Sequence, residues 1–145
     1  MRGLPASEGI YRYVREADRW QLLSRFTPED LVEGCNFVYF RNIMCLPCRL
    51  FDLKFPDLVS AYSCRCTFTV VTCGFYKRLC ISRAAREAFS VFRVSEGPTL
   101  YVAVVRGGRP QSEAILVGNP SLSELRSYLL RNLGIRTCRS TSPSR

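Results

Sequence analysis

The chain has 145 residues, 47% of them apolar, and a formal charge of +9 from 21 basic and 12 acidic side chains. This length and composition fit one globular domain, and no apolar run approaches the roughly 20 residues that a membrane-spanning helix needs. Histidine is absent, which removes Ser-His-Asp and Cys-His catalysis and limits any metal site to cysteine, alone or with a carboxylate.

All basic residues except Lys54 and Lys77 are arginines, whose planar forks suit phosphate or carboxylate partners. The first eight residues contain no apolar stretch, so no signal peptide is expected there. An intracellular chain keeps its thiols reduced, and clustered cysteines are then expected to be ligands or catalytic groups.

In chain order, Ile10 to Val14 reads as an edge strand. Thr27, Pro28, Glu29 and Asp30 form a helix start, with a cap, a first-position proline and acids at the positive end of the dipole. Leu31, Cys35 and Val38 would then share one face, the helix giving way near Asn36 to the β-prone Phe37–Phe40. Residues 49–62, around Pro56, read as a loop with a short helical turn. Thr67 to Thr72 is β-branched and aromatic, and predicts a strand.

Ser82 caps a predicted helix from Arg83 to about Phe92. Residues 99–105 and 114–117 flank Gly107-Gly108-Arg109-Pro110 and predict a hairpin. Ser121 and Glu124 form a capping box for a final helix, with Leu122, Leu125, Leu129 and Leu133 as its stripe and Gly134 as its stop. The expected organisation is one globular domain over residues 1–134 with a Cys-rich centre at 35–80, then a basic, disordered tail over 135–145.

Seven of the eight cysteines fall between Cys35 and Cys80. Cys45-Leu46-Pro47-Cys48 and Cys64-Arg65-Cys66 read as two half-sites of one structural zinc ion, with Cys73 able to replace Cys64 or Cys66. Such a site is worth about 10–16 kcal/mol, as much as the net stability of a domain. Cys35, Cys80 and Cys138 read as small buried hydrophobes. A thioredoxin-like role for Cys45 and Cys48 would need a βαβ unit around them, and the predicted elements supply none. Phosphate-binding loops and paired catalytic carboxylates are missing too, so no enzyme is expected. The fold class expected is α+β: a small zinc-stapled domain with a central antiparallel sheet or hairpins and a C-terminal amphipathic helix.

The order of motifs resembles the adenovirus early region 4 thirty-four-kilodalton protein family. The shared features are Arg2-Gly3-Leu4-Pro5, Ser7, Gly9, Trp20, an acidic pair before Leu31-Val32, Cys35, Cys45-Leu46-x-Cys48 and Cys64-x-Cys66, over about residues 2–75. The resemblance implies a viral early protein of the host nucleus, with the host cytoplasm as a second location. As a non-enzymatic adaptor it would recruit host elongin B/C and a cullin ubiquitin ligase, together with a second viral early protein, against host defence and DNA-damage proteins. It also implies that Leu31 and Cys35, one helical turn apart, are the partner-binding residues. The alternative is a small zinc-containing nucleic-acid-binding protein, since Arg126, Arg131, Arg136, Arg139 and Arg145 make the C-terminus basic.

Overall fold

The computed structural model describes residues 3–139. The strands are β1 (Gly9–Val14), β2 (Arg19–Leu23), β3 (Gly34–Asn42), β4 (Cys66–Cys73), β5 (Thr99–Arg106) and β6 (Arg109–Val117). The helices are α1 (Leu46–Tyr62), α2 (Arg83–Val91) and α3 (Leu122–Leu133). All six strands form one sheet in the order β2-β1-β4-β3-β5-β6.

β3 organises the sheet. It pairs in parallel with β4, from Cys35 opposite Cys66 to Asn42 opposite Cys73, and antiparallel with β5 on its other side. A parallel neighbour requires a crossover, and α1 provides it. Alternate residues of β3 then enter two separate cores. Phe37 and Tyr39 pack with Phe51, Phe55, Leu58 and Tyr62 of α1 and with Leu125 and Leu129 of α3. Val38 and Phe40 pack on the other face with Ala85, Ala88 and Phe89 of α2. A strand covered on both faces reads as a continuous apolar run, as Phe37–Phe40 does.

This is an α/β architecture with a mixed, two-sided sheet. It corrects the expected zinc-stapled α+β domain with an antiparallel sheet. The helix expected from Pro28 is a single 3-10 turn, Pro28–Asp30, although a capping box between Thr27 and Asp30 does form at its start. Leu31 is already extended (φ −63°, ψ 143°), and Gly34 has φ +95°. Leu31 and Cys35 therefore share no helix face. Pairing of β3 on both edges outweighs a helix start that has only its cap to support it.

The loop expected over residues 49–62 is instead the 17-residue α1. Pro56 removes one backbone hydrogen bond there, a cost of about 3 kcal/mol. Burial of Cys48, Phe51, Phe55, Leu58, Val59 and Tyr62 along one stripe returns roughly 1.5–3 kcal/mol for each large side chain.

The strand at 67–72, the helix from Arg83, the β5–β6 hairpin and the capped α3 lie close to their expected positions. After α3, Ile135 is buried and Cys138 is bonded to Cys64. The remainder of the expected tail, residues 140–145, lies outside the described residues.

Candidate active site

At the end of β3 the parallel ladder continues for two residues, with Ile43 N–H donating to Cys73 O (2.9 Å) and Met44 N–H to Gly74 O (3.0 Å). This delivers Cys45 to the N-cap of α1. Its Sγ accepts the Cys48 N–H at 3.3 Å, and Pro47 lies in the first turn, where its missing N–H costs nothing. Negative charge is favoured at this end of a helix, because free N–H groups and the dipole both face it.

Cys45 is 9% exposed and Cys48 is fully buried. Both carry free thiols, and Met44 and Leu46 stand exposed beside them. Burial pushes the Cys48 thiol up to about 12, with the nearby Cys45 and Asp52 adding to the rise and the Asn42 N–H at 3.5 Å opposing it.

The segment before β5 closes over this pair. Gly97–Pro98 is a cis peptide. A Cβ on Gly97 would stand 3.1 Å from Asn42 Nδ2, 3.2 Å from Cys48 Sγ and 3.5 Å from Tyr76 Oη, so only glycine fits without displacement. Asn42 is 1% exposed; its Oδ1 accepts the Tyr76 N–H at 2.6 Å, while its Nδ2 has no partner. That backbone bond fixes which way the amide points. Tyr76 adopts a left-handed φ of 55° in the loop clipped by Cys73–Cys80. Its hydroxyl is held above the usual tyrosine range by burial first, and then by the two thiols.

Beneath the cysteines lies a buried polar clamp. Asp52, one turn along α1 from Cys48, pairs with Arg41 through Oδ1–Nε (3.0 Å) and Oδ2–Nη2 (2.8 Å). Arg41 Nη1 donates to Thr72 Oγ1 (3.1 Å) and to Pro5 O (3.2 Å). The Tyr39 hydroxyl lies 2.7 Å from Asp52 Oδ1 and 3.1 Å from Cys48 O. Burial, reinforced by the Asp52 carboxylate, holds this tyrosine protonated far above its ordinary range. The clamp ties the first turns of α1 to β3, β4 and the N-terminal segment.

The residues expected to hold zinc do not come together. Cys45 and Cys48 begin α1, whereas Cys64 and Cys66 follow its end, about 24 Å further along the axis at 1.5 Å per residue. Thiolates must all approach one ion at about 2.3 Å. Cys64 is bonded to Cys138, Cys66 to Cys35, and the substitute Cys73 to Cys80. Among the described residues no group of three or more Cys, His, Asp or Glu could hold a metal ion. The zinc expectation is overturned, and the zinc nucleic-acid-binding alternative falls with it. Cys35, proposed as a partner contact, bridges to its register partner Cys66, and Leu31 packs against the α2 core.

The strand, the Cys-x-x-Cys helix start, the parallel return strand and the cis-proline entry to β5 define a thioredoxin-like fold. No protein-family model and no curated protein matches the sequence. Among solved structures, the chain is similar to the thioredoxin of Trichomonas vaginalis, with a TM-score of 0.56 and 19% identity over 74% of this chain and 92% of that one. It is also similar to the thioredoxin of Aeropyrum pernix, with a TM-score of 0.54 and 21% identity over 88% and 95%. Thioredoxin f2 of Chlamydomonas reinhardtii matches with a TM-score of 0.50 and 14% identity over 74% and 93%.

This likeness establishes the fold and overturns the adenovirus resemblance and the viral adaptor reading built on it. The expectation of no enzyme falls too, because it rested in part on a missing βαβ unit, and β3-α1-β4 is that unit. Sequence reasoning missed Tyr39, Arg41, Asn42, Asp52, Tyr76 and Gly97. The available signal was the β-prone run before Cys45 and the apolar stripe after it, which together outline strand, Cys-x-x-Cys and helix.

Proposed function

We propose that the chain is a thiol–disulfide exchange protein working through Cys45 and Cys48. The observation that carries this is the reduced pair at the start of α1, with Cys48 Sγ against Gly97 of the cis peptide while the six other cysteines are bridged. Cys45, the more exposed of the two, is the attacking group. Its thiolate displaces one sulfur of a substrate disulfide, which leaves as a thiolate and takes up a proton, and a Cys45–substrate mixed disulfide forms. Cys48 then loses its proton and attacks Cys45 Sγ. The second substrate thiolate departs, so the substrate gains two electrons and the Cys45–Cys48 pair is oxidised.

The two thiols divide this labour by environment. Cys48 stays neutral at pH 7 because of burial, which prevents it from competing for the substrate. When its thiolate forms, the Asn42 backbone N–H, 3.5 Å from Cys48 Sγ, is a donor already in place.

Reduction of insulin by dithiothreitol, followed as turbidity, tests the reading. The chain should accelerate it, Cys45→Ser should abolish the acceleration, and Cys48→Ser should accumulate a covalent substrate adduct visible by mass spectrometry. A wild-type rate equal to that of dithiothreitol alone would remove the proposal.

A further inference from the structure

The end of α1 remote from the cysteine pair presents a surface of another kind. There the loop into β4, helix α3 and the segment after α3 meet around the Cys64–Cys138 bridge. Two open recesses, of about 550 and 860 Å³, share much of their lining. Arg65, Arg126 and Arg139 line both, Arg136 lines the first and Arg15 the second. No carboxylate lines either recess, and none of these five arginines forms an ion pair among the described residues.

Gathered like charges repel unless a counter-charge offsets them. Two helices end here, but a helix C-terminus carries only about half a negative charge, too little to balance five guanidinium groups. The carbonyls of Ala61 and Tyr62 are moreover already taken by the N–H groups of Cys138 and Arg65. The arginines are also held in position. Cys138 is bonded to Cys64, its N–H reaches Ala61 O at 2.7 Å, and Ile135 is sunk in the core. Arg136 and Arg139 therefore flank a pinned segment and do not sit on a free tail.

We infer that this recess binds a compact, multiply charged phosphate ligand of the pyrophosphate or oligophosphate class. Arg65, Arg126 and Arg139 would receive its oxygens through their planar forks. A nucleic-acid strand suits the site less well, because the one aromatic ring in the lining, Tyr62, is 1% exposed and offers no face for a base. The 17 residues of α1 put about 25 Å between this site and Cys45, so the inference stands independently of the redox reading.

Inorganic tripolyphosphate titrated calorimetrically into the full-length, disulfide-intact chain tests it. Saturable one-to-one binding is expected. Arg65→Ala with Arg126→Ala should weaken it by about tenfold or more, whereas Arg106→Ala with Arg109→Ala, on the exposed β5–β6 turn, should change it by less than about twofold. Both double variants remove the same charge, and circular dichroism confirms that each is folded. Equal losses in the two variants, absence of saturation, or tighter binding of a single-stranded oligonucleotide at matched phosphate concentration would each overturn the inference.

Discussion

Asn42 carries a buried donor without an acceptor, a defect that costs about 1–3 kcal/mol in a folded protein. Its Oδ1 accepts the Tyr76 N–H at 2.6 Å, so the side chain holds the Tyr76 loop next to Gly97, against which Cys48 Sγ packs. Asn42→Ala should therefore slow release of the mixed disulfide by about tenfold while leaving its formation unchanged. Acid-quenched samples analysed by mass spectrometry separate the two steps, and an unaltered ratio of adduct to product would mean that the amide is idle. The same step has a predicted pH dependence. Because the Cys48 thiol is raised to about 12, its thiolate fraction grows about tenfold per pH unit below that value. The release rate should climb steeply between pH 7 and 9, and a flat profile would contradict the resolving role. Gly97→Ala puts a methyl group 3.1 Å from Asn42 Nδ2 and 3.2 Å from Cys48 Sγ. Slower exchange with little change in melting temperature is expected.

Helix α1 is held at its start by the Arg41–Asp52 pair, and the two partners are not equivalent to an apolar contact. Removing one of them leaves a charge stranded in a site where Arg41 is 9% exposed. Asp52→Ala should cost about 3–5 kcal/mol in urea unfolding, and Arg41→Met combined with Asp52→Leu should recover most of it. A loss below about 1 kcal/mol from Asp52→Ala would mean that apolar packing alone anchors the helix. Elements whose signals are local were legible in the sequence. Ser121, Glu124 and Gly134 delimit α3 by hydrogen bonds within a few residues of one another, and the structure forms those bonds. α1 was obscured because Pro56 is a local breaker, while its compensation, burial against Phe37 and Tyr39, is non-local. The start at Thr27–Asp30 misled in the opposite sense: its capping box is real, yet β4 and β5 claim the residues that would have continued the helix.

Across the whole molecule, what the sequence concealed was pairing at a distance. The Cys45-x-x-Cys48 spacing was visible, but its meaning depends on a parallel strand that begins at Cys66 and on Gly97, which the fold alone brings beside it. Cys64 and Cys66 looked like a half-site because their partners, Cys138 and Cys35, lie 74 and 31 residues away. Closing a loop of that longer span restricts the unfolded chain by about 4 kcal/mol in the chain-entropy account. Cys64→Ser with Cys138→Ser should therefore lower the unfolding free energy by up to about that amount, with the insulin assay unaffected. The bridges also set the covalent topology. Cys35–Cys66 and Cys64–Cys138 overlap by three residues, so every peptide bond from 35 to 138 lies inside at least one closed ring. A protease that nicks the backbone once anywhere in that span liberates no fragment. The cut chain keeps its full mass on a non-reducing gel and separates into two bands only when reductant is added.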